Sequence, residues 1–483
     1  MRIKQRFSFF WRPQKFSILT PLYNTPIEYL TTLLESMKNQ TYKYWELCLA
    51  DGSDDEHYKV GAICRRYVAE DSRFKYVKLE ENRGISANTN ACFTLATGSY
   101  IGLLDHDDVL HESALYEMMA AIKKTGADFL YTDEVKFIGD IMNIAGITGF
   151  NLKPGFGKDE LRAHNYICHF TVFSRELLER EGRFWRSEMD GSQDHDLVLR
   201  LTEIARRIVH IPKVLYYWRV HEQSVSYNIE NKIYAVKAAI RGIGEQLERE
   251  REQGVITTIP PFQTLYRINY QVEENPIISV IDYDTVVYEE DIVVLNQRAI
   301  GATGKYLMFL QSDVQMEGAN WLTELLMYAQ RRDVACVGGK ILYPDQRFCF
   351  AGIALDRESE AKVRRICLGF PRDDHGYEAM LMHVRNTTAA WLGCMMIEKE
   401  KFLSLGGFQT RYGALADVDL SMRAMEKGFW NVWSPFACGE YHGSEEKVDY
   451  KKGNVFMFTK RWQKQLKEGD RFCHSVWIKK GLV

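Results

Sequence analysis

Asp105, Asp107 and Asp108 flank His106 in one short run. Carboxylates so placed suit Mg²⁺ or Mn²⁺, which take oxygen ligands and bridge phosphate oxygens. A cation held there would offset charge developing on a departing nucleoside diphosphate. Asp194, inside the polar run Gly191-Ser192-Gln193-Asp194-His195-Asp196, is the candidate general base, since a hydroxyl attacking an anomeric carbon must lose its proton. Asp196 and Arg200 share its turn and helix face and suit orienting it or holding its loop. His221, with Arg219 before it and Ser224 and Ser226 after it, is a candidate third ligand to metal or diphosphate. Asn24 and Asp51 can hydrogen-bond a nucleotide base or ribose, and Asn82-Arg83-Gly84 can face the ribose–diphosphate region. The same residue types also serve plainer ends. Asp107, Asp108 or Asp194 can cap a helix, and Asn, Asp and Gly make ordinary strand-to-helix turns.

The elements that must position these groups alternate. Phe16–Thr20, Trp45–Ala50, Phe74–Leu79 and Tyr100–Leu104 read as strands, and Val214–Val220 is strand-like. Ile27, Leu30, Leu33, Leu34 and Met37 recur at helical spacing, and Ser86 to about Ala96 reads as helix. Such alternation predicts an α/β fold with a doubly wound parallel sheet, whose ligands bind beyond the carboxyl ends of the strands. Asn24, Asp51 and Asp105 each follow a predicted strand and would line that edge. After Asp133 the alternation fades through a Gly-rich stretch. A helical pattern resumes after residue 190, and Lys232 to about Gln253 reads as a charged connecting helix.

A second, reduced copy follows. Asn90–Tyr100 aligns without gaps on Asn296–Tyr306; Leu104, Asp105 and Asp107 match Leu310, Gln311 and Asp313; residues 194–200 match 417–423. Each copy is then followed by a histidine, His221 or His442. The stretch from Phe16 to Asn90 is far longer than that from Ile277 to Asn296, so about two strand–helix units are missing, with the counterparts of Asn24, Asp51 and Asn82. Asp313, Trp391, Gly393, Cys394, Asp417 and His442 persist. The second copy is therefore expected not to bind a nucleotide, and to be either a structural relic or a guide for a growing glycan.

Bulk properties narrow the class. A chain of 483 residues implies two or three domains. A formal net charge of −3 argues against nucleic acid as the main ligand. The ten cysteines contain no Cys-x-x-Cys pair, so neither a disulfide frame nor a zinc cluster is expected. No transmembrane helix and no signal peptide are predicted, and a cytoplasmic location fits. Basic residues mixed with aromatics at both ends (Arg2, Lys4, Arg6, Arg12 and Lys15 with Phe7–Trp11; Lys460, Arg461, Lys464 and Lys467 with Trp462 and Trp477) suit peripheral contact with an anionic membrane, or simply a terminal amphipathic helix.

These residues, in this order, resemble glycosyltransferase family 2 enzymes of the GT-A fold, over roughly 16–230 and in part over 296–445. Residues 161–170 and 191–200 look like bacterial tandem enzymes building rhamnose-containing or O-antigen-type polysaccharides. The resemblance implies a Rossmann-like, mostly parallel GT-A catalytic domain plus a truncated GT-A-like domain. It implies inverting transfer from a UDP- or dTDP-sugar to a glycan or lipid-linked glycan. By it, Thr20, Pro21, Tyr23, Asn24 and Asp51 line the base and ribose pocket, with Asn82 and Gly84 beside the diphosphate. Asp105 lies near the ribose or sugar, Asp107 binds the metal, His221 reaches metal or diphosphate, and Asp194 is the base. His164, Asn165, Tyr166, His169 and Gln193 fall on the acceptor side. The expected division is a basic aromatic segment over 1–15, the catalytic domain over 16–230, a helical connector over 231–275, the degenerate domain over 276–450 and a basic helical tail over 451–483. Two other readings stand beside it. A nucleotidyltransferase would ordinarily show a Gly-rich phosphate loop after the first strand, where this chain has Thr20-Pro21-Leu22-Tyr23-Asn24. A non-catalytic carbohydrate-binding or scaffold subunit would need neither Asp107 nor Asp194.

Overall fold

The structure, a computed structural model, describes residues 13–141, 146–221, 233–274, 276–284, 289–443 and 450–483. The basic aromatic start from Arg2 to Arg12, and Ser224 and Ser226, lie outside the described residues. The chain divides into two compact units. The first comprises residues up to Phe156 with Asn165–Glu250, and the second comprises Gly157–His164 with Arg251–Val483.

In the first unit, β1 (Phe16–Leu22) and β2 (Trp45–Asp51) are apolar almost throughout and almost wholly buried, as interior parallel strands must be. Helix α1 (Ile27–Lys38) packs Leu30, Leu33, Leu34 and Met37 into the core, the four positions its periodicity singles out. Each such burial contributes about 2 kcal/mol. α2 (Lys59–Glu70) and α3 (Ile85–Leu95) join β2 to β3 (Phe74–Lys78) and β3 to β4 (Tyr100–Leu103). Strands β3, β2, β1 and β4 lie side by side in parallel.

Beyond β4 the sheet is mixed. β5 is Val109–Leu110, β6 Phe129–Phe137, β7 Ile147–Asn151, β8 Thr171–Ser174 and β9 Ile208–Arg219. β4 pairs antiparallel with β8 and β8 antiparallel with β6, while β6 runs parallel to β9. Two antiparallel steps restore direction, so β1, β2, β4, β6 and β9 all end on one edge. The α/β architecture expected from the sequence is therefore present, with antiparallel β8 inserted between β4 and β6.

The second unit repeats this order without two strands. β12 (Ile278–Tyr283), β13 (Tyr306–Gln311), β20 (Cys394–Glu398), β15 (Val334–Leu342), β21 (Trp430–Tyr441) and β14 (Val314–Met316) lie side by side in that order. Their parallel and antiparallel pairings match those of β1, β4, β8, β6, β9 and β5. Even register agrees: Phe16 faces Tyr100 as Ile278 faces Tyr306, and Leu130 faces Val172 as Val337 faces Met396. Counterparts of β2 and β3 are absent among the described residues, which accounts for the shortened repeat.

The expected boundaries shift in three places. The connector drawn at 231–275 is helical only over Ile233–Arg249, which groups with the first unit; Gly254–Ile259 and Phe262–Tyr270 form an antiparallel hairpin. The catalytic stretch 16–230 is not continuous, because Gly157–His164 belongs to the second unit. There Asp159 is buried and binds Arg331 and Asn386. The tail from residue 451 is an integral part of the second unit, with Trp462 and Trp477 buried and Trp462 Nε1 donating to Asp419 at 3.1 Å. Those aromatics are therefore not available to a membrane, although Lys460, Lys464 and Lys467 are exposed. Among the described residues no helix is long and apolar enough to cross a membrane.

Candidate functional site

The carboxyl ends of β1 and β2 are tied together. Asp51 is buried, its Oδ1 accepting from Ser53 N (2.8 Å) and its Oδ2 from the Tyr76 hydroxyl (2.8 Å). Asn24, at φ +49°, donates its backbone N–H to Ser53 Oγ (2.8 Å) and exchanges side-chain bonds with Asp54 (2.8 and 3.1 Å). These two residues thus brace a joint loop beside the half-exposed Tyr23 and the partly exposed Pro21. Thr20 is fully buried within β1, so its side chain is part of the sheet interior.

Asn82 Oδ1 accepts from Gly84 N (3.1 Å) and Asn88 Nδ2 (2.9 Å), folding the loop after β3. Gly84 has φ +92°, and a Cβ there would come within 2.4 Å of Asp190 Oδ2. Asp190 in turn accepts from Ser86 N at 3.2 Å. Arg83 is exposed and pairs with Glu81.

Past β4 the acidic run splits into three roles. Asp107 Oδ2 lies 2.7 Å from His221 Nε2, both partly exposed, joining the end of β9 to the end of β4. Arg219 Nε donates to the Asp107 carbonyl (2.8 Å), while its guanidinium lies 4.3 Å from the Tyr29 ring. Asp108 is buried and accepts from the Tyr216 hydroxyl (2.5 Å) and Arg219 N (2.7 Å). Burial, then Asp107 and Asp105, push its pKa well up. Asp105, 46% exposed, lies 3.3 Å from His169 Nε2. Loss of water on its protein-facing side opposes its ionisation, but His169 holds its carboxyl below the usual range.

Asp105, Asp108 and His169 could together surround an ion. Both Asp108 oxygens are already taken, however. Burial opposes a charge on His169, but Cys168, Asp105 and Glu134 raise its pKa above the ordinary imidazole value. Asp107 with His221 offers the better donor set, an oxygen and an imidazole nitrogen, both reachable from solvent.

Asp194 begins α7 (Gln193–Ile204) and accepts from Asn165 Nδ2 (2.9 Å) and Cys168 Sγ (3.5 Å). Behind it Asp196 is buried between Arg186 and Arg200 (3.0 Å). Burial opposes its charge, and those two cations hold its pKa down. Arg200 also donates to the carbonyls of Arg183 (2.7 Å) and Phe184 (2.9 Å), so the pair does hold the loop. Gln193 Oε1 accepts from Gly191 N (2.8 Å), closing the turn before the helix.

The acceptor-side set is scattered. Asn165 reaches Asp194, and His169 reaches Asp105 instead. Tyr166 is buried edge-on against Tyr131, and His164 lies in the second unit, its ring 5.9 Å from that of His383. Four groups escaped the sequence reading: Asp190, Glu134, Lys153 and Tyr216. Only the folded chain brings them to the site: Glu134 stands beside Asp133 and near Lys136 in 129–137, and nothing in that string singles it out. A cavity of about 730 Å³ lined by Gln14, Ser99, Tyr100 and Arg175 sits at the opposite end of the strands and contains none of these groups.

In the second unit the retained carboxylate Asp417 is buried and accepts two backbone N–H groups, from Leu392 (2.8 Å) and Val418 (2.7 Å); burial pushes it up to about 6. Asp419 pairs with Arg423 at 2.7 Å as Asp196 does with Arg200. His442 does not match His221: the strand register sets Gly439 level with Tyr216, and so His442 level with Arg219. It sits 3.5 Å from Glu440.

Residues 17–182 match the family model described as "Glycosyl transferase family 2". The chain is 30% identical over 491 aligned residues to "Uncharacterized protein y4gI" of Sinorhizobium fredii, covering 89% of this chain and 53% of that protein. It is 27% identical to "O-antigen biosynthesis protein RfbC" of Myxococcus xanthus, covering 85% of this chain and 36% of that one. The chain thus spans about half or less of these curated relatives. The crystal structure of S. aureus TarS aligns over 48% of this chain and 43% of its own at 19% identity; its TM-score, 0.36, is too low to bear on this chain's chemistry.

Proposed function

We propose that this chain, which belongs to glycosyltransferase family 2, moves a sugar from a nucleoside diphospho-sugar to a hydroxyl of a growing polysaccharide. The observation that carries this reading is the Asp107–His221 pair on the strand edge of the first unit, where Asn24, Asp51, Asp105 and the loop reaching Asp194 also end. Asp107 and His221 would hold Mn²⁺ or Mg²⁺, which when bound compensates the charge of the departing diphosphate. Asp51, Asn24, Pro21 and Tyr23 border the base and ribose of a UDP- or dTDP-sugar, and Asn82 and Gly84 the diphosphate. Asp105 faces the ribose or sugar.

Asp194 takes the proton of the acceptor hydroxyl. The acceptor oxygen bonds to the anomeric carbon as the bond from that carbon to the diphosphate oxygen breaks. The electron pair leaves with the nucleoside diphosphate, and a single displacement inverts the anomeric configuration. Asn165, 2.9 Å from Asp194, orients the carboxylate, and Gln193 shapes the turn that presents it.

Among its described residues the second unit has no counterparts of β2 and β3, which would border a nucleotide, and Asp417 is consumed by backbone bonds; its role is structural. The name of the Myxococcus relative supports an O-antigen-type product, hence a hexosyl or rhamnosyl group and a glycan or lipid-linked glycan acceptor. Such acceptors suit the inner membrane face in the cytoplasm, approached peripherally by the exposed lysines of the tail. The test is mass spectrometry of lipid-linked and free glycans incubated with the chain, Mn²⁺ and UDP- or dTDP-sugars. Gain of one sugar mass is expected; an unchanged acceptor with every donor, without nucleoside diphosphate release, would contradict the reading.

A further inference from the structure

We propose that His169, pinned from behind by Glu134 and Lys153, is the positioning residue for Asp105 on the donor side of the site. This rests on the reading of Asp105 as a donor-facing carboxylate. Lys153 Nζ and Glu134 Oε2 are 3.0 Å apart and both side chains are fully buried. Lys153 also donates to the carbonyls of Ile167 (2.6 Å) and His169, which fixes the loop before β8. The Glu134 carboxyl, despite burial, is held down to about 2 by Lys153 and His169. His169 Nδ1 lies 3.3 Å from Glu134 Oε2, an ion contact without hydrogen-bond alignment. Its ring stacks on Tyr216 (4.8 Å, 7°), and Nε2 lies 3.3 Å from Cys168 Sγ on its own loop and 3.3 Å from Asp105 Oδ2 across the site. Asp105 is half-exposed on a loop, and this contact selects one orientation of its carboxylate.

The second unit is an internal control. By strand register, Gln311 stands level with Asp105, Gly393 with His169, Ile341 with Glu134 and Gly439 with Tyr216. All four groups are lost there together with the two nucleotide-side strands. The scaffold pair Asp196–Arg200 is retained as Asp419–Arg423. The loop also touches Asp194 through Asn165 and Cys168, so His169 could equally have been an acceptor-side group. The geometry assigns it to Asp105.

The experiment is a double-substitution cycle on the full chain, with Asp105→Asn, His169→Phe and both together. It is read by donor binding in calorimetry and by nucleoside diphosphate release. His169→Phe keeps a ring on Tyr216 but removes the Asp105 contact. It is expected to lower kcat/KM for the donor roughly 10- to 100-fold, the scale of a lost charged hydrogen bond. The donor KM is expected to rise, with acceptor KM and melting temperature unchanged. On the Asp105→Asn background the same change is expected to add less than about threefold. His169→Gln, which restores a donor toward Asp105, is expected to recover most of the loss. Independent, multiplying effects, or a change confined to acceptor KM, would overturn the assignment. Absence of donor binding and release by the unsubstituted chain would instead overturn the transferase reading beneath it, and this assignment with it.

Discussion

The same substitution at matching positions of the two units is expected to give opposite results. Asp194 makes its bonds to Asn165 and Cys168 through one oxygen, and Asn in its place can still accept from Asn165. Asp194→Asn should therefore leave stability within about 0.5 kcal/mol. It removes the proton acceptor, and a general base contributes about 10²- to 10⁴-fold, so kcat should fall by that factor with donor KM unchanged. Asp417 spends both oxygens on backbone N–H groups in a buried setting. Asn can accept only one of them and turns its own N–H₂ toward the other, at a cost of about 1–3 kcal/mol. Asp417→Asn should thus lower the melting temperature by several degrees and leave kcat unchanged. Because burial pushes Asp417 up to about 6, above its free value of 3.8, the native chain gains stability as pH falls through 6 and the Asn variant does not, so the stability difference should widen below that pH. Nucleoside diphosphate release and calorimetric melting, run on both variants, decide the matter. Asp194→Asn retaining more than a tenth of the rate, or Asp417→Asn losing rate at unchanged stability, would refute the reasoning.

Three further outcomes follow from the geometry. Gly84→Ala meets both a left-handed φ and the Asp190 carboxylate at 2.4 Å, so it should raise donor KM and destabilise by about 1–3 kcal/mol; a wild-type KM would remove this loop from the donor site. Glu46 is held down to about 2: burial opposes its charge, but Lys15, Lys75, Ser17 and the Thr97 N–H outweigh it. Its folded pKa lies below the free value of 4.5, so roughly 3 kcal/mol of stability is present above about pH 4.5 and lost as pH falls toward 2. Glu46→Gln should remove most of it at pH 7, with the two melting curves converging below about pH 3. Arg423→Met leaves the buried Asp419 without its cation and should destabilise by about 3–5 kcal/mol, whereas Arg200→Met removes one of the two cations on Asp196 and should cost about 1.5–3 kcal/mol, both measurable by denaturant titration; a silent substitution in either unit would contradict the shared scaffold role.

The sequence made the first half of the sheet legible, because β1, β2 and α1 carry unbroken or periodic apolar patterns that local physics alone imposes. Strand β8 is only four residues long and has no alternation long enough to read, so nothing local announces it. The hairpin over Gly254–Tyr270 alternates as an exposed strand pair should, yet Pro260 and Pro261 at its turn also read as a boundary. Asp107 and His221 could be singled out because their residue types and their places after strands pointed the same way, and Asp194 because it opens a helix from a polar turn. His442 was placeable from spacing: it lies two residues closer to Asp417 than His221 does to Asp194, which already sets it level with Arg219, as the strand register does. Lys153 and Glu134 meet only through tertiary packing, and sequence distance gives no hint of it.

The central claim is tested most directly by nucleoside diphosphate release from UDP-, dTDP- and GDP-sugars, with and without Mn²⁺, for the intact chain and for Asp107→Ala. Release from one donor class that requires Mn²⁺ and disappears in Asp107→Ala is the expected result. Release by Asp107→Ala at the unsubstituted rate, or neither binding nor release with any donor, would contradict the account.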